Sequence, residues 1–487
     1  MRGKKKYCLC VWLAIASYYC LLAQGPVDEI PLLQDQINET GSDQQPAVPQ
    51  DSLFRIRHIF IEGNKKTRAS IILREIPLQE GHKYSLPDVV RQFETSRRQL
   101  MNTLLFHEAV VALKSFEGYD IDVIVRVKER WYIFPIPYFK PVDRNLNQWL
   151  FEKKASFDRV DYGLKLLYNN VTGRNDKLTV WAVNGYTKQF SFTYDRLYFD
   201  KQMKWGYTVG FAIGKNREVN YNSEDNKQVF LKDGSYLRNF NGGFVELTYR
   251  NAIKTRHRFG IAYRVEEVAD TVLKLNSSYF RSGQTRIEYP ELYYTMNYFN
   301  VDYIPYPTKG YLGKLDINKK GLNSDVNLFQ VSLQASGYWH TGKKSFIGLE
   351  SYGMIKLPFS QPYFNRRFLG YGGNNLQGYE YYVIDGVAGG YLKASFVRRI
   401  FSFDINMPGT KVLTPGKIPF TFYAKIYGNT GYIHNPDKGT NSLANRFLYS
   451  SGIGIDVITL YDFILKLEWS FNQLGQNGVF LHPRSIF

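Results

Sequence analysis

The chain has 487 residues, 44% hydrophobic and 22% charged, with 62 Lys and Arg against 44 Asp and Glu for a formal charge of +18. Tyr, Phe and Trp supply 38, 34 and 7 residues, or 16% together, which is too apolar and aromatic for a disordered protein; the length calls for two or more domains or one large closed sheet. Beyond the first 25 residues no uncharged apolar run approaches 18 residues, which excludes a bundle of membrane helices but not a barrel of short alternating strands.

The N-terminus reads as an export signal over residues 1–23. Arg2, Lys4, Lys5 and Lys6 precede an apolar stretch from Cys8 to Ala23, with a cut expected before Gln24. Cys8, Cys10 and Cys20 all lie in that segment, so the mature chain is expected to hold no disulfide, thiol nucleophile or cysteine metal site. Residues 24–52, rich in Gln, Pro, Asp and Asn, read as a flexible linker.

From 53 to 130 the pattern is that of a small mixed domain. Leu53 to Glu62 alternates as a strand, Gly63-Asn64 makes a turn, and Thr67 is placed to cap a helix that opens at Arg68 and runs until Pro77. Gly81 breaks the chain. Leu86 to Leu104 reads as a second helix with an apolar stripe of Val89, Val90, Phe93, Leu100 and Leu104. Two strands, Ala109 to Leu113 and Ile121 to Val127, complete the order strand, helix, helix, strand, strand.

From 131 to 487 the chain reads as a succession of strands with no helical pattern. Trp205, Tyr207, Val209, Phe211 and Ile213 alternate with Gly206, Thr208, Gly210, Ala212 and Gly214, and the same period returns at Phe259/Ile261/Tyr263/Val265 and Phe463/Leu465/Leu467/Trp469/Phe471. Roughly sixteen such strands are expected between Trp131 and Phe487, and their one apolar and one small or polar face suits a sandwich with a dry side or a barrel in lipid with a wet lumen. Aromatic pairs at strand ends, such as Tyr198-Phe199 and Tyr381-Tyr382, favour the barrel. So does the alternation of short turns with long polar stretches like 216–239 and 360–390.

Residues 53–130 resemble a POTRA domain, the periplasmic repeat of the BamA superfamily. The matching elements are Ile59-x-x-x-Gly63-Asn64-x-x-Thr67, Arg74-Glu75, Gly81, Leu104-Leu105-Phe106-x-x-Ala109 and Val127-x-Glu129. Phe106 is expected to plug the helix pair onto the sheet. Further on, Arg367-Phe368-x-x-Tyr371-Gly372-Gly373-x-x-Leu376-Gln377-Gly378-Tyr379, with Gly386 beyond, resembles the family's extracellular loop that folds back inside the barrel; its glycines let the chain pass through positive φ.

This resemblance to the BamA/TamA-like outer-membrane assembly and translocation superfamily implies a small α/β POTRA domain followed by a transmembrane antiparallel β-barrel. It places a single POTRA domain in the periplasm of a Gram-negative bacterium and the barrel, residues 131–487, in the outer membrane, with the loop at about 360–390 turned inward. Two departures stand out. The family's tip arginine is Gln377 here, and its aspartate partner, in an aromatic-x-Asp-x-Gly pattern, matches Asn429 of Tyr427-Gly428-Asn429-x-Gly431. Loss of both charges predicts an amide pair between Gln377 and Asn429 that holds the loop. At the C-terminus Phe487 fits the terminal aromatic that assembly machinery reads, while Pro483 belongs at an edge or a bulge.

No enzyme is expected. The seven histidines are scattered without metal-ligand spacing, and neither a Gly-x-Ser-x-Gly elbow nor a phosphate loop occurs, so no catalytic residue, metal or cofactor is assigned. Glu350 and Glu468 read as ordinary carboxylates of a wet lumen. The basic excess is read as attraction to outer-membrane lipids or lipopolysaccharide rather than to nucleic acid. The resemblance implies an insertion factor that receives unfolded outer-membrane protein clients by strand addition to the POTRA domain and releases them at the seam between first and last strands. Periplasmic chaperones or accessory lipoproteins are the further partners it implies. A secretion or passive pore of the same superfamily and a structural or receptor barrel are the alternatives.

Overall fold

The computed structural model describes residues 53–141, 148–152, 154–156, 160–185, 187–322, 325–372, 374–406 and 417–484. The expected signal segment and linker, together with Gly373 and Phe487, lie outside the described residues.

The N-terminal domain is a four-stranded sheet with two helices. Its strands are β1 (Leu53–Glu62), β2 (Lys83–Ser85), β3 (Phe106–Glu117) and β4 (Asp120–Glu129), in the order β2-β1-β4-β3 with β1 and β4 parallel. The helices, Ala69–Glu75 and Leu86–Asn102, bury Ile71, Ile72, Val89 and Leu100, the sheet buries Ile56, Val123 and Val125, and Phe106 is fully enclosed. Gly63 has φ +86°, and a Cβ there would stand 2.0 Å from the Val127 carbonyl oxygen, so only glycine fits the turn. Asn64 Nδ2 donates to the Thr67 carbonyl at 3.0 Å, and Gly81, at φ +80°, donates its N–H to the Ile56 carbonyl at 2.7 Å.

Three expectations are corrected here. The first helix starts one residue later than expected, and Thr67 is not its cap. Arg68 holds the N-cap position without a side-chain hydrogen bond, while the Glu129 carboxylate at the end of β4 accepts the N–H groups of Lys66 and Thr67 at 3.0 and 2.6 Å. Both N–H groups precede the helix, so this carboxylate closes the turn leading into it and leaves the first helical turn without a side-chain cap. The three-residue strand β2, too short for a period-two signal, precedes the second helix, where Ser85 is the true cap and accepts from the Asp88 N–H at 3.3 Å. Val90 lies outside the apolar stripe, 53% exposed.

The remainder forms an antiparallel sheet of sixteen strands. Its first half comprises β5 (Ile133–Pro141), β6 (Val160–Asn169), β7 (Lys177–Gly185), β8 (Thr187–Arg196) and β9 (Trp205–Asn216); a separate hairpin, β10 (Glu218–Glu224) and β11 (Lys227–Lys232), intervenes before β12 (Arg238–Tyr249), β13 (Thr255–Val268) and β14 (Arg286–Val301). The second half comprises β15 (Gly310–Lys320), β16 (Leu328–Gly342) and β17 (Ser345–Leu357). A small pair, β18 (Arg367–Leu369) and β19 (Ile384–Asp385), sits in the following loop. Then come β20 (Ala388–Asn406), β21 (Lys417–His434), β22 (Phe447–Thr459), β23 (Phe463–Asn472) and β24 (Asn477–Arg484). Neighbours in sequence are neighbours in the sheet, which is bounded by β5 and β24. A short helix, Asp270–Leu275, lies in the connection from β13 to β14, where the strand reading had no helix; six residues are too few for a 3.6-residue period to show.

The side that each phase of the alternation faces decides between the two architectures. The apolar phase is exposed, with Ile213 51%, Ile261 63% and Leu333 55% open, whereas the alternate phase is enclosed, with Thr208 4%, Glu246 7% and Ser470 0% open. A sandwich would bury the apolar phase; only a sheet bathed in lipid turns it outward. The enclosed face is polar and carries ion pairs between adjacent strands, such as Arg258–Glu246 at 3.1 Å and Arg264–Glu291 at 2.6 Å. Tyr306, in the turn between β14 and β15, donates to Asp456 of β22 at 2.9 Å. That bond joins strands far apart in the sheet order, so the polar face curls round a lumen.

Candidate functional site: the inward loop and its anchor

The connection between β17 and β20 carries the glycine-rich motif. It begins as the small pair β18–β19 and builds a core of Phe368, Leu369, Leu376, Tyr379 and Ile384 against Ile433, Leu443, Ala444 and Leu448 from β21, β22 and the loop joining them. Lys356 of β17 donates to the Arg367 carbonyl at 2.6 Å, and the Arg367 guanidinium lies 5.5 Å from the Tyr371 ring. Tyr371 in turn donates to Asp385 at 2.7 Å. Gly372 takes φ +63° with open space around its Cα.

The tip, Leu376 to Tyr379, is tied to β22 and β23. Gln377 Nε2 donates to Glu468 Oε1 of β23 at 2.7 Å. The Gly378 carbonyl accepts from Asn472 Nδ2 at 2.7 Å, and Tyr379 donates its hydroxyl to the Tyr449 carbonyl at 3.0 Å. Gly378 has φ +88°, and a Cβ there would approach Ser450 Cβ to 3.0 Å, so a side chain is both strained and crowded. The expected bond between Gln377 and Asn429 is therefore not made. Asn429 Nδ2 donates to Ser450 Oγ at 3.1 Å, and Ser450 Oγ donates to the Gln377 carbonyl at 2.5 Å. Asn429 thus supports the tip through a serine, while the amide of Gln377 takes a carboxylate. At Gly431 a Cβ would stand 3.2 Å from the Gly390 carbonyl oxygen and 3.3 Å from Tyr391 Cβ, tight against β20, and in ordinary contact with Leu376 Cδ2 at 3.7 Å.

Glu468 is the hub of a buried charge cluster. Lys425 of β21 bridges Asp456 of β22 at 2.5 Å and Glu468 at 2.6 Å, and these three side chains are almost wholly enclosed. His482 of β24 places Nε2 3.3 Å from both Glu468 Oε2 and Glu380 Oε1. Glu380, the residue after the tip, accepts the Gly378 N–H at 2.8 Å. Among the described residues, Glu380, Glu468 and His482 form the only group with metal-ligand chemistry, their donor atoms lying within 4.8 Å of one another. Those donor atoms are already engaged by Lys425, Gln377, the Gly378 amide and one another, which makes the group an ion-pair and hydrogen-bond latch. Sequence reading placed Glu468 on the lumen wall but missed Lys425, Asp456, Glu380 and His482. Their available signal was a charge in the inward phase of a strand, which names a face and no partner.

Outside the tip, the loop meets the β10–β11 hairpin. Val383 donates its N–H to the Asn226 carbonyl at 2.8 Å and Ser223 hydrogen-bonds Asp385, while Asn226 N donates to Asn441 Oδ1, in the connection from β21 to β22, at 2.6 Å. Tyr382 donates to Gln476, in the turn between β23 and β24, at 2.7 Å.

A family model described as the Omp85 superfamily domain matches residues 170–459, and a POTRA model, described as a surface antigen variable number repeat, matches residues 54–130. Among curated proteins, the outer membrane protein assembly factor BamA of Neorickettsia risticii (strain Illinois) is 25% identical over 289 residues, which cover 58% of this chain and 35% of that protein. Among solved structures, CdiB from Escherichia coli matches with a TM-score of 0.52 at 13% identity, over 88% of this chain and 74% of that one. BamA from Haemophilus ducreyi lacking POTRA domains 1–3 matches at 0.46 and 16% identity, over 89% and 82%. At such identities the likeness is one of fold.

Proposed function

Because the chain belongs to the Omp85 superfamily, whose domain model spans more than half its length, we propose that it passes unfolded polypeptide across the outer membrane through a lumen gated by the inward loop. It is an outer-membrane protein with a periplasmic POTRA domain, and its work is mechanical rather than catalytic. The reading is carried by the anchorage of the loop tip. Gln377, Gly378 and Tyr379 all bond to β22 and β23, so one displacement clears the lumen and frees the end of the sheet together. The fold likeness to CdiB is consistent with a pore of this superfamily.

A second reading, insertion of unfolded outer-membrane protein clients at the seam, draws on the identity with BamA of Neorickettsia risticii and on the bonding of the loop beside the terminal strand β24. In either case β3, at the end of the POTRA sheet order, offers a backbone edge to which an extended client can add.

The two readings separate when the loop is tied down. Tyr382→Cys and Gln476→Cys, joined by a short bis-alkylating linker, would hold the loop to the β23–β24 turn without touching the charge cluster. Planar-bilayer conductance is expected to show openings in the unlinked double variant and silence after linking. Openings that persist in the linked protein would overturn the gate. Accelerated folding of a urea-denatured outer-membrane barrel that survives linking, in a chain with no openings before it, would favour insertion.

A further inference from the structure

We propose that Lys188, Lys215 and Arg217 form, with Tyr236, a binding site for the phosphorylated headgroup of an outer-leaflet glycolipid. The cationic heads stand 5.9, 5.7 and 5.3 Å from the Tyr236 ring centroid, so one ring gathers all three, and its hydroxyl is shielded from solvent. Lys188 and Lys215 are directly opposite each other in the register of β8 and β9. Like charges so placed repel, and among the described residues no carboxylate lies at ion-pair distance from any of the three. The fold therefore keeps an unneutralised triad in one place, which an external anion would stabilise.

Position on the wall identifies the anion. The row below the two lysines on the same face is Phe190 opposite Ile213, then Phe192 opposite Phe211, of which Phe190, Phe211 and Ile213 are exposed to lipid. Two residues along a strand rise about 7 Å, so the cations sit one step above the uppermost apolar pair, at headgroup depth. The chain enters the sheet at Ile133 and crosses it once per strand, which puts the start of β8 and the end of β9 at the end opposite entry. With the POTRA domain in the periplasm, that end is external. An anion held there by cations, with acyl chains running down over Phe190 and Ile213, is the phosphate of an outer-leaflet glycolipid. This inference is independent of whether the lumen conducts or the seam inserts.

The test uses the full folded chain in phosphatidylcholine nanodiscs containing a bis-phosphorylated, multiply acylated glucosamine disaccharide, or the same lipid after phosphatase treatment. Retained glycolipid is counted by native mass spectrometry. The phosphorylated lipid is expected to be retained by the native chain and by a Lys343→Gln/Lys344→Gln control in the periplasmic turn. Retention is expected to fall at least roughly tenfold in Lys188→Gln/Lys215→Gln/Arg217→Gln or after dephosphorylation. Equal retention by the triple variant, or of the dephosphorylated lipid, would overturn the site, as would equal loss in the control. Displacement by millimolar inorganic phosphate would show a free-anion site instead of a lipid site. If the triple variant does not give a folded barrel, Arg217→Gln alone, outside the sheet's strands, is expected to lower retention several-fold; no change in it would overturn the proposal.

Discussion

Lys425 holds two carboxylates that are almost wholly enclosed. Its Nζ lies 2.5 Å from Asp456 and 2.6 Å from Glu468, and removing one partner of such a group leaves the others charged and enclosed. Lys425→Met is therefore expected to destabilise the folded barrel by about 3–5 kcal/mol, measured as a lowered urea midpoint in detergent micelles. Gln377→Ala removes a hydrogen bond to the same carboxylate but no charge, and should cost about 1.5–3 kcal/mol of loop anchorage. The barrel midpoint should be nearly unchanged in that variant, with protease cleavage within 366–382 increased. Gln377 was legible in the sequence as a departure within a motif. Its partner was not, because Glu468 stands 91 positions further on and its strand announces only which face it presents.

At the scale of the element, the POTRA sheet is stitched by charges that run from β1 to its parallel neighbour β4 and on to the end of β3. Arg55 meets Asp120 at 2.5 Å, and Arg57 meets Asp122 at 2.7 Å and Glu117 at 2.9 Å. The hydrogen bond from Arg57, seconded by the Ser115 hydroxyl, holds the Asp122 carboxyl well below the usual carboxylate range, and the Arg55 hydrogen bond lowers that of Asp120. A carboxylate depressed by folding adds stability that is whole above its unfolded value, about 4, and is lost as pH falls through the folded value. The urea midpoint of the POTRA transition in the full chain should thus be flat from neutral pH down to mildly acidic pH and decline below about 4. Asp122→Asn should lower the midpoint at neutral pH and flatten that decline. In the β10–β11 hairpin, Asn226 takes φ +61° and its side chain bonds Ser442 at 3.2 Å and the Leu443 N–H at 3.0 Å. Asn226→Ala should loosen the hairpin tip and speed tryptic cleavage after Lys227, read by peptide mapping of intact protein.

Across the whole molecule, the loop is held at three levels: by its apolar core, by the bonds of the tip to β22 and β23, and by the β10–β11 hairpin through Val383 and Asp385. Weakening one level should leave the others in place. Gln377→Ala/Asn472→Ala removes the two side-chain bonds between the tip and β23 and is expected to raise the frequency of conductance openings in planar bilayers while the far-UV spectrum of the sheet stays unchanged. An unchanged opening frequency would mean that the apolar core alone keeps the loop seated. Such layered closure reflects how contacts distribute in a curled sheet, where the lumen brings elements from distant parts of the chain to one place.

The sequence by itself determined the strands, their two phases and the glycine-rich loop. Period-two alternation and backbone-permissive glycines are local properties, written within ten or so residues. It also determined the POTRA turn at Gly63, where no other residue fits. Tertiary structure alone decided that the apolar phase faces outward, that Glu129 closes the turn before a first POTRA helix that Thr67 does not cap, and that Gln377 meets Glu468 while Asn429 works through Ser450. Each of these depends on strand register accumulated over many neighbours, and one residue of slip would send every side chain of a strand to the opposite face.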